Sequence, residues 1–106
     1  MDDFLAILEE LKRSLKRVFG DQILKMILFG SRARGDDEEE SDIDVALIVR
    51  GLTPKLKDRI LDEVADFEFK HDIPLSVLIF SEEEFDRLKK RERRIALDIE
   101  REGILL

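Results

Sequence analysis

The chain has 106 residues, 43% apolar and 42% charged, with seven Phe and no Trp, Tyr or Cys. That length fits one hydrophobic core and excludes a second lobe, so residues 1–106 are expected to form a single minimal domain, and the apolar content excludes a disordered chain. A net charge of −7 disfavours direct nucleic-acid binding, which needs clustered Lys and Arg, and the lack of Cys leaves oxygen ligands as the main donors for any metal.

Met1-Asp2-Asp3 offers no basic leader, and no run of about 18 apolar residues occurs, so a soluble cytoplasmic protein without membrane contact is expected. Phe4, Leu8, Leu11, Leu15, Val18 and Phe19 recur at helical spacing before Gly20, which predicts an amphipathic helix over 2–19. Residues 23–29 are a short apolar run ending at Gly30, the form of a buried strand entering a tight turn. After a loop over 31–41, Ile43, Val45, Leu47 and Val49 fall on one face of a second strand, and Asp42, Asp44, Ala46 and Ile48 fall on the other.

Thr53-Pro54 predicts an N-cap with proline at the first helical position, and Leu56, Ile60, Val64 and Phe67 carry that helix to about Lys70. Residues 73–80 read as a third strand. Ser81 and Glu84 form a capping box, with Phe80 and Phe85 as a hydrophobic staple, so a last helix starts near Glu82. A break is open at Arg91–Arg94 before Ile95, Ala96 and Ile99 resume an apolar face that Gly103 ends. The α-β-β-α-β-α order predicts an α/β (α+β) two-layer domain with a small mixed sheet of three or four strands.

One constellation carries chemistry: Gly30-Ser31, ten residues, then Asp42-Ile43-Asp44. Glycine lets the backbone approach a phosphate, and turn amides beside a Ser hydroxyl make an anion site. Aspartates at i and i+2 on a strand project from one face and can share Mg²⁺ that neutralises a triphosphate. As a structural alternative, the turn is only a turn and the carboxylates a solvated strand edge, although Asp is depleted in strands. Arg32 and Arg34 flank the turn and are candidates for triphosphate contact, or else pair with the acidic run Asp36–Glu40, itself a solvated loop.

Leu28-Phe29-Gly30-Ser31-Arg32-Ala33-Arg34-Gly35 through Ser41-Asp42-Ile43-Asp44-Val45 resembles the minimal nucleotidyltransferases of the DNA polymerase β superfamily, especially the antitoxins paired with HEPN-domain toxins. The resemblance implies a Mg²⁺-dependent enzyme that moves AMP from ATP to a hydroxyl of a small helical HEPN-type partner. In that scheme Gly30, Ser31, Arg32 and Arg34 seat the nucleoside triphosphate, while Asp42 and Asp44 are catalytic and hold the metal. Active members usually carry a third carboxylate on the next strand, where Leu75-Ser76-Val77-Leu78 offers Ser76. Serine is a poor base and metal ligand, and general-base assistance is worth roughly 10²- to 10⁴-fold, so Glu68 and Asp72 are substitutes to consider. The alternative is a weakly active or inactive nucleotide-binding antitoxin that acts by occluding its partner. Transfer to a small molecule such as an aminoglycoside fits less well, because so short a chain has little surface to enclose one.

His71, the only histidine, is expected to sit at a helix end, where the dipole favours it, and the seven Phe to be core. Lys89-Lys90-Arg91 with Arg93-Arg94 is a solvated helix face or a docking surface for an acidic partner, helped by the tail Ile104-Leu105-Leu106, which has no evident burial of its own. Association with a second copy of the chain stays open.

Overall fold

The computed structural model describes residues 3–30, 33 and 42–106, with the side chains of residues 3 and 4 left aside. Helix α1 spans Asp3–Phe19, and a 3₁₀ turn at Gly20–Gln22 leads into β1, Ile23–Phe29. Strand β2 is Ile43–Val49, helix α2 Pro54–His71 and strand β3 Leu75–Ser81. Helices α3, Glu82–Lys90, and α4, Arg94–Glu102, follow, and Ile104–Leu105 closes the chain as β4. The sheet order is β3-β2-β1-β4, with β2–β3 parallel and the other pairs antiparallel. It is the small mixed sheet expected, in an α+β arrangement.

Period-two patterning divides the core between the two faces of the sheet. Ile43, Val45, Leu47 and Val49 join Leu8, Leu11 and Leu15 of α1 and Leu56, Ile60, Val64 and Phe67 of α2 in the main cluster. On the other face Phe29, Ala46 and Ile48 pack with Phe85 of α3 and Ala96 and Ile99 of α4. The two-layer core of sheet and α1/α2 thus carries a smaller cover on its second face.

The helix ends follow the local chemistry. Thr53 Oγ1 accepts from the Leu56 N–H at 3.1 Å with Pro54 in the first turn, and Ser81 Oγ accepts from the Glu84 N–H at 3.0 Å. The Phe80 and Phe85 rings meet at 5.6 Å, as a staple requires. The break at Arg91–Arg93 is real: Glu92 takes φ 53°, and the Arg93 N–H donates to the Leu88 carbonyl at 2.9 Å.

Four expectations are corrected. Strand β3 starts at Leu75 rather than residue 73, because Asp72 caps α2 in a left-handed conformation and the Ile73 N–H donates back to the Glu68 carbonyl at 3.4 Å. The tail is not unplaced: Ile104 and Leu105 pair with Leu28 and Ile27, and the Leu106 N–H donates to the Met26 carbonyl at 2.9 Å. Gly103 permits this by close approach, since a Cβ there would collide with the Ile99 carbonyl oxygen and Ile27 Cγ2. Not every Phe is core, as Phe69 is 87% exposed on the outer side of α2; and Val18, placed in the α1 stripe, is exposed too. Among the described residues no helix is long and apolar enough to cross a membrane.

Candidate functional site

The β1–β2 ladder ends on the pair Phe29–Asp44, so the chain leaves β1 beside the acidic start of β2. Gly30, the next residue, has φ 80°, a left-handed conformation that suits glycine. A Cβ added to it would collide with Asp44 Oδ2 and lie 3.2 Å from Asp44 Cγ. The bend and the carboxylate are therefore in contact, and only a residue without a side chain allows it. The Ala33 N–H donates to the Gly30 carbonyl at 3.1 Å. Ser31, Arg32, Arg34 and the acidic run 36–40 lie outside the described residues.

Asp42 is exposed immediately before β2, and Asp44 is half-buried within it. Ile43 between them is 3% exposed in the α1/α2 core, and strand alternation turns both aspartates to the opposite face. There Asp44 stands at the rim of the cluster that buries Phe29 and Ala46 under α4. Its lateral neighbour on β3 is Ser76, half-buried and in register across the parallel pair.

Two like charges two residues apart on one face repel, and a cation shared between them relieves that repulsion. Among the described residues no group of three or more His, Cys, Asp or Glu side chains could hold a metal unaided. Two carboxylates fit Mg²⁺, which characteristically takes one or two such ligands and completes its shell with phosphate oxygens and water. Two carboxylates alone would leave most of such a shell to phosphate oxygens and water.

The other candidates have structural work. Glu68 Oε2 accepts from the Leu75 N–H at 3.0 Å, tying α2 to the start of β3, and Asp72 is the α2 cap. The Glu68 carboxylate is thus occupied, whereas the Asp72 cap uses the backbone and its side chain is exposed. His71 ends α2, stacks on Phe67 at 4.1 Å and places Nε2 3.9 Å from Glu10. In the basic segment Lys89 lies 3.5 Å from Glu100 and Arg94 3.9 Å from Asp98, whereas Lys90, Arg91 and Arg93 are exposed. The Gly30–Asp44 contact was not foreseeable from spacing alone; the one signal for it is that glycine closes β1 twelve residues before the first aspartate.

Comparison with known proteins bears on the family. The family described as "Polymerase beta, Nucleotidyltransferase" matches residues 9–106. A protein of Methanocaldococcus jannaschii named "Putative protein adenylyltransferase" is 37% identical over 79 residues, 74% of this chain and 80% of its own length. A second of that name and organism is 38% identical over 80 residues, 76% of each chain. In a third, 37% identical over 76 residues, the match covers 69% of this chain and 52% of the relative. A crystal structure from Sulfolobus solfataricus, titled a "putative nucleotidyltransferase", superposes with a TM-score of 0.61 at 25% identity, covering 95% of this chain and 77% of that one. The family match over nearly the whole chain, the identity to these relatives and the shared fold lead to one conclusion: this chain belongs to the polymerase β nucleotidyltransferase family.

Proposed function

We propose that the chain transfers AMP from ATP to a hydroxyl group on a partner protein, with Mg²⁺ held by Asp42 and Asp44. The observation that carries this reading is the seating of the Gly30 backbone against the Asp44 carboxylate, which puts a bend suited to phosphate beside a donor set that leaves most of a Mg²⁺ shell to phosphate oxygens and water. The relatives named as protein adenylyltransferases support the protein acceptor. The resemblance to antitoxins supports a small helical HEPN-type protein as that partner, with the cytoplasm as the place of action.

In the reaction an acceptor hydroxyl oxygen bonds to the α-phosphorus, the bond from that phosphorus to the bridging oxygen breaks, and pyrophosphate leaves. The hydroxyl proton passes to solvent or to a carboxylate. Bound Mg²⁺ supplies charge neutralisation of the triphosphate and a lowered pKa for the attacking hydroxyl. Gly30 and Ser31 seat the phosphates, with Arg32 and Arg34 as further contacts, and Asp42 and Asp44 fix the donor geometry from the start of β2. Turnover is slow in this reading, because the residue beside Asp44 in register is Ser76 and a hydroxyl is a poor base.

That register also favours a second reading, in which the chain binds nucleotide and neutralises its partner by occlusion. Incubation of the chain with its co-purified partner, Mg²⁺ and α-labelled ATP separates the two. Label on the partner, lost by at least about 10³-fold when Asp42→Asn and Asp44→Asn are combined, supports transfer, since several kcal/mol of charge stabilisation go with the metal. An unlabelled partner in a stable complex that the double substitution leaves intact supports occlusion and overturns transfer.

A further inference from the structure

The sheet has two edges of different kinds. One is β4, two residues long; the other is β3, seven residues running Leu75-Ser76-Val77-Leu78-Ile79-Phe80-Ser81 without a charge or a proline, in a chain that is 42% charged. Shortness guards the first edge, but none of the usual devices of edge charge, proline or bulge guards the second.

Which backbone groups β3 presents follows from its pairing with β2. Ile43 is in register with Leu75, and its N–H donates to the Pro74 carbonyl at 3.2 Å. In a parallel ladder the residues flanking the partner carry the bonds, so the even-numbered residues of β3 turn their N–H and C=O toward β2. Leu75, Val77 and Ile79 turn theirs outward. The Leu75 N–H confirms this direction, because it meets Glu68 Oε2 at 3.0 Å. For the outward groups of Val77 and Ile79 no partner exists among the described residues.

We infer that this edge pairs antiparallel with the β3 edge of a second copy, about a two-fold axis at Leu78. Each Val77 then faces the other copy's Ile79, and both pairs exchange N–H···O bonds using only groups that are now unpaired. A register centred on Val77 would set the blocked Leu75 N–H opposite Ile79, whereas here it falls only in the outermost pair, opposite Ser81, and the Val77–Ile79 bonds do not need it. Leu78, 37% exposed, meets its own equivalent, and Leu61, 39% exposed and seven residues before Glu68 on the same flank of α2, gains cover. Neutral strands suit this self-pairing, because like charges placed opposite each other would oppose it.

At its C-terminal end β3 runs into the acidic first turn of α3, Glu82–Glu84, with Lys57 and Arg87 beside Ser81 in a surface cleft. The two-fold sets Ser81 opposite Leu75 of the second copy, beside that copy's Glu68 and Asp72. The same axis places Ser76 opposite Phe80 of the second copy, so the neighbouring strand would wall the site beside Asp44. The edge is thus self-complementary in its backbone groups and at Leu78.

The test is sedimentation equilibrium of the chain with residue-resolved hydrogen exchange. The expected result is a mass that rises with concentration toward twice 12.4 kDa, with the Val77 and Ile79 amides slowing in step while Ser76, Leu78 and Phe80 stay protected throughout. Leu78→Lys, which sets like charges opposite each other, and Val77→Pro, which removes one outward N–H, should each raise the dissociation constant at least about tenfold. The wild-type exchange pattern decides the matter should either variant fail to fold. A chain that stays monomeric to about 1 mM overturns the inference. So does dimerisation that both folded variants leave unchanged, or protection of Val77 and Ile79 that arises only on adding a different protein.

Discussion

The two ends of the segment 42–49 lie seven residues apart and follow opposite rules. From Val45 to Val49 every side chain is buried, alternately against α1/α2 and against α3/α4, and all are apolar. At the other end Asp42 is exposed and Asp44 half-buried, with a glycine backbone pressed against the carboxylate. The first end does what a central strand does for stability. The second places acidic side chains where strand propensity and mutual repulsion both oppose them, so its composition is not what the core requires.

The comparison breaks most visibly at the buried end. Leu47 is 0% exposed in the main cluster, so Leu47→Ala is expected to lose about 3 kcal/mol through lost transfer energy and a cavity. Thermal unfolding should show this as a fall in Tm of about 15 °C. A loss below about 1 kcal/mol would mean that the strand centre relaxes around the deletion and that the contrast between the ends is weaker than burial implies.

Gly30 joins the two regimes, and Gly30→Ala should be costly in both. The left-handed backbone at φ 80° strains any other residue by roughly 1–2 kcal/mol. The new methyl also has to displace the Asp44 carboxylate. Denaturation should report the strain, and calorimetry with MgATP should report weakened binding beyond what the lost stability explains. Unchanged affinity for MgATP would show that the Asp44 position against the bend is unimportant to the ligand.

Much of this contrast is legible in the sequence, for a physical reason. Period-two alternation over Ile43–Val49, the Thr53-Pro54 and Ser81–Glu84 caps and the helix break near Arg91 are local signals, and each appears where its chemistry places it. What is not legible is long-range. The pairing of Ile104–Leu105 with β1 has too few residues for a period, and the start of β3 depends on how α2 terminates through Asp72 and Glu68. The exposure of Phe69 likewise escapes composition, which counts an apolar residue without knowing which side of α2 it occupies. The Gly30–Asp44 contact needs the antiparallel register of β1 and β2, and spacing fixes only that the two elements are neighbours.

Asp42→Asn is expected to have the smallest effect on the fold and the sharpest on the comparison. Asp42 is exposed, and substitutions at such positions usually change stability by no more than about 0.5 kcal/mol. In the absence of ligand, urea unfolding of Asp42→Asn should therefore overlay the wild type. Saturating MgATP stabilises a binding-competent chain by about 2.7 kcal/mol at 100 times Kd, and the variant, short of one anionic ligand, should gain measurably less at the same concentration. Equal gains would remove Asp42 from the ligand set. A ligand-free loss as large as that of Leu47→Ala would assign Asp42 to the core, and with it the claim that the two ends of the segment 42–49 serve different purposes would fail.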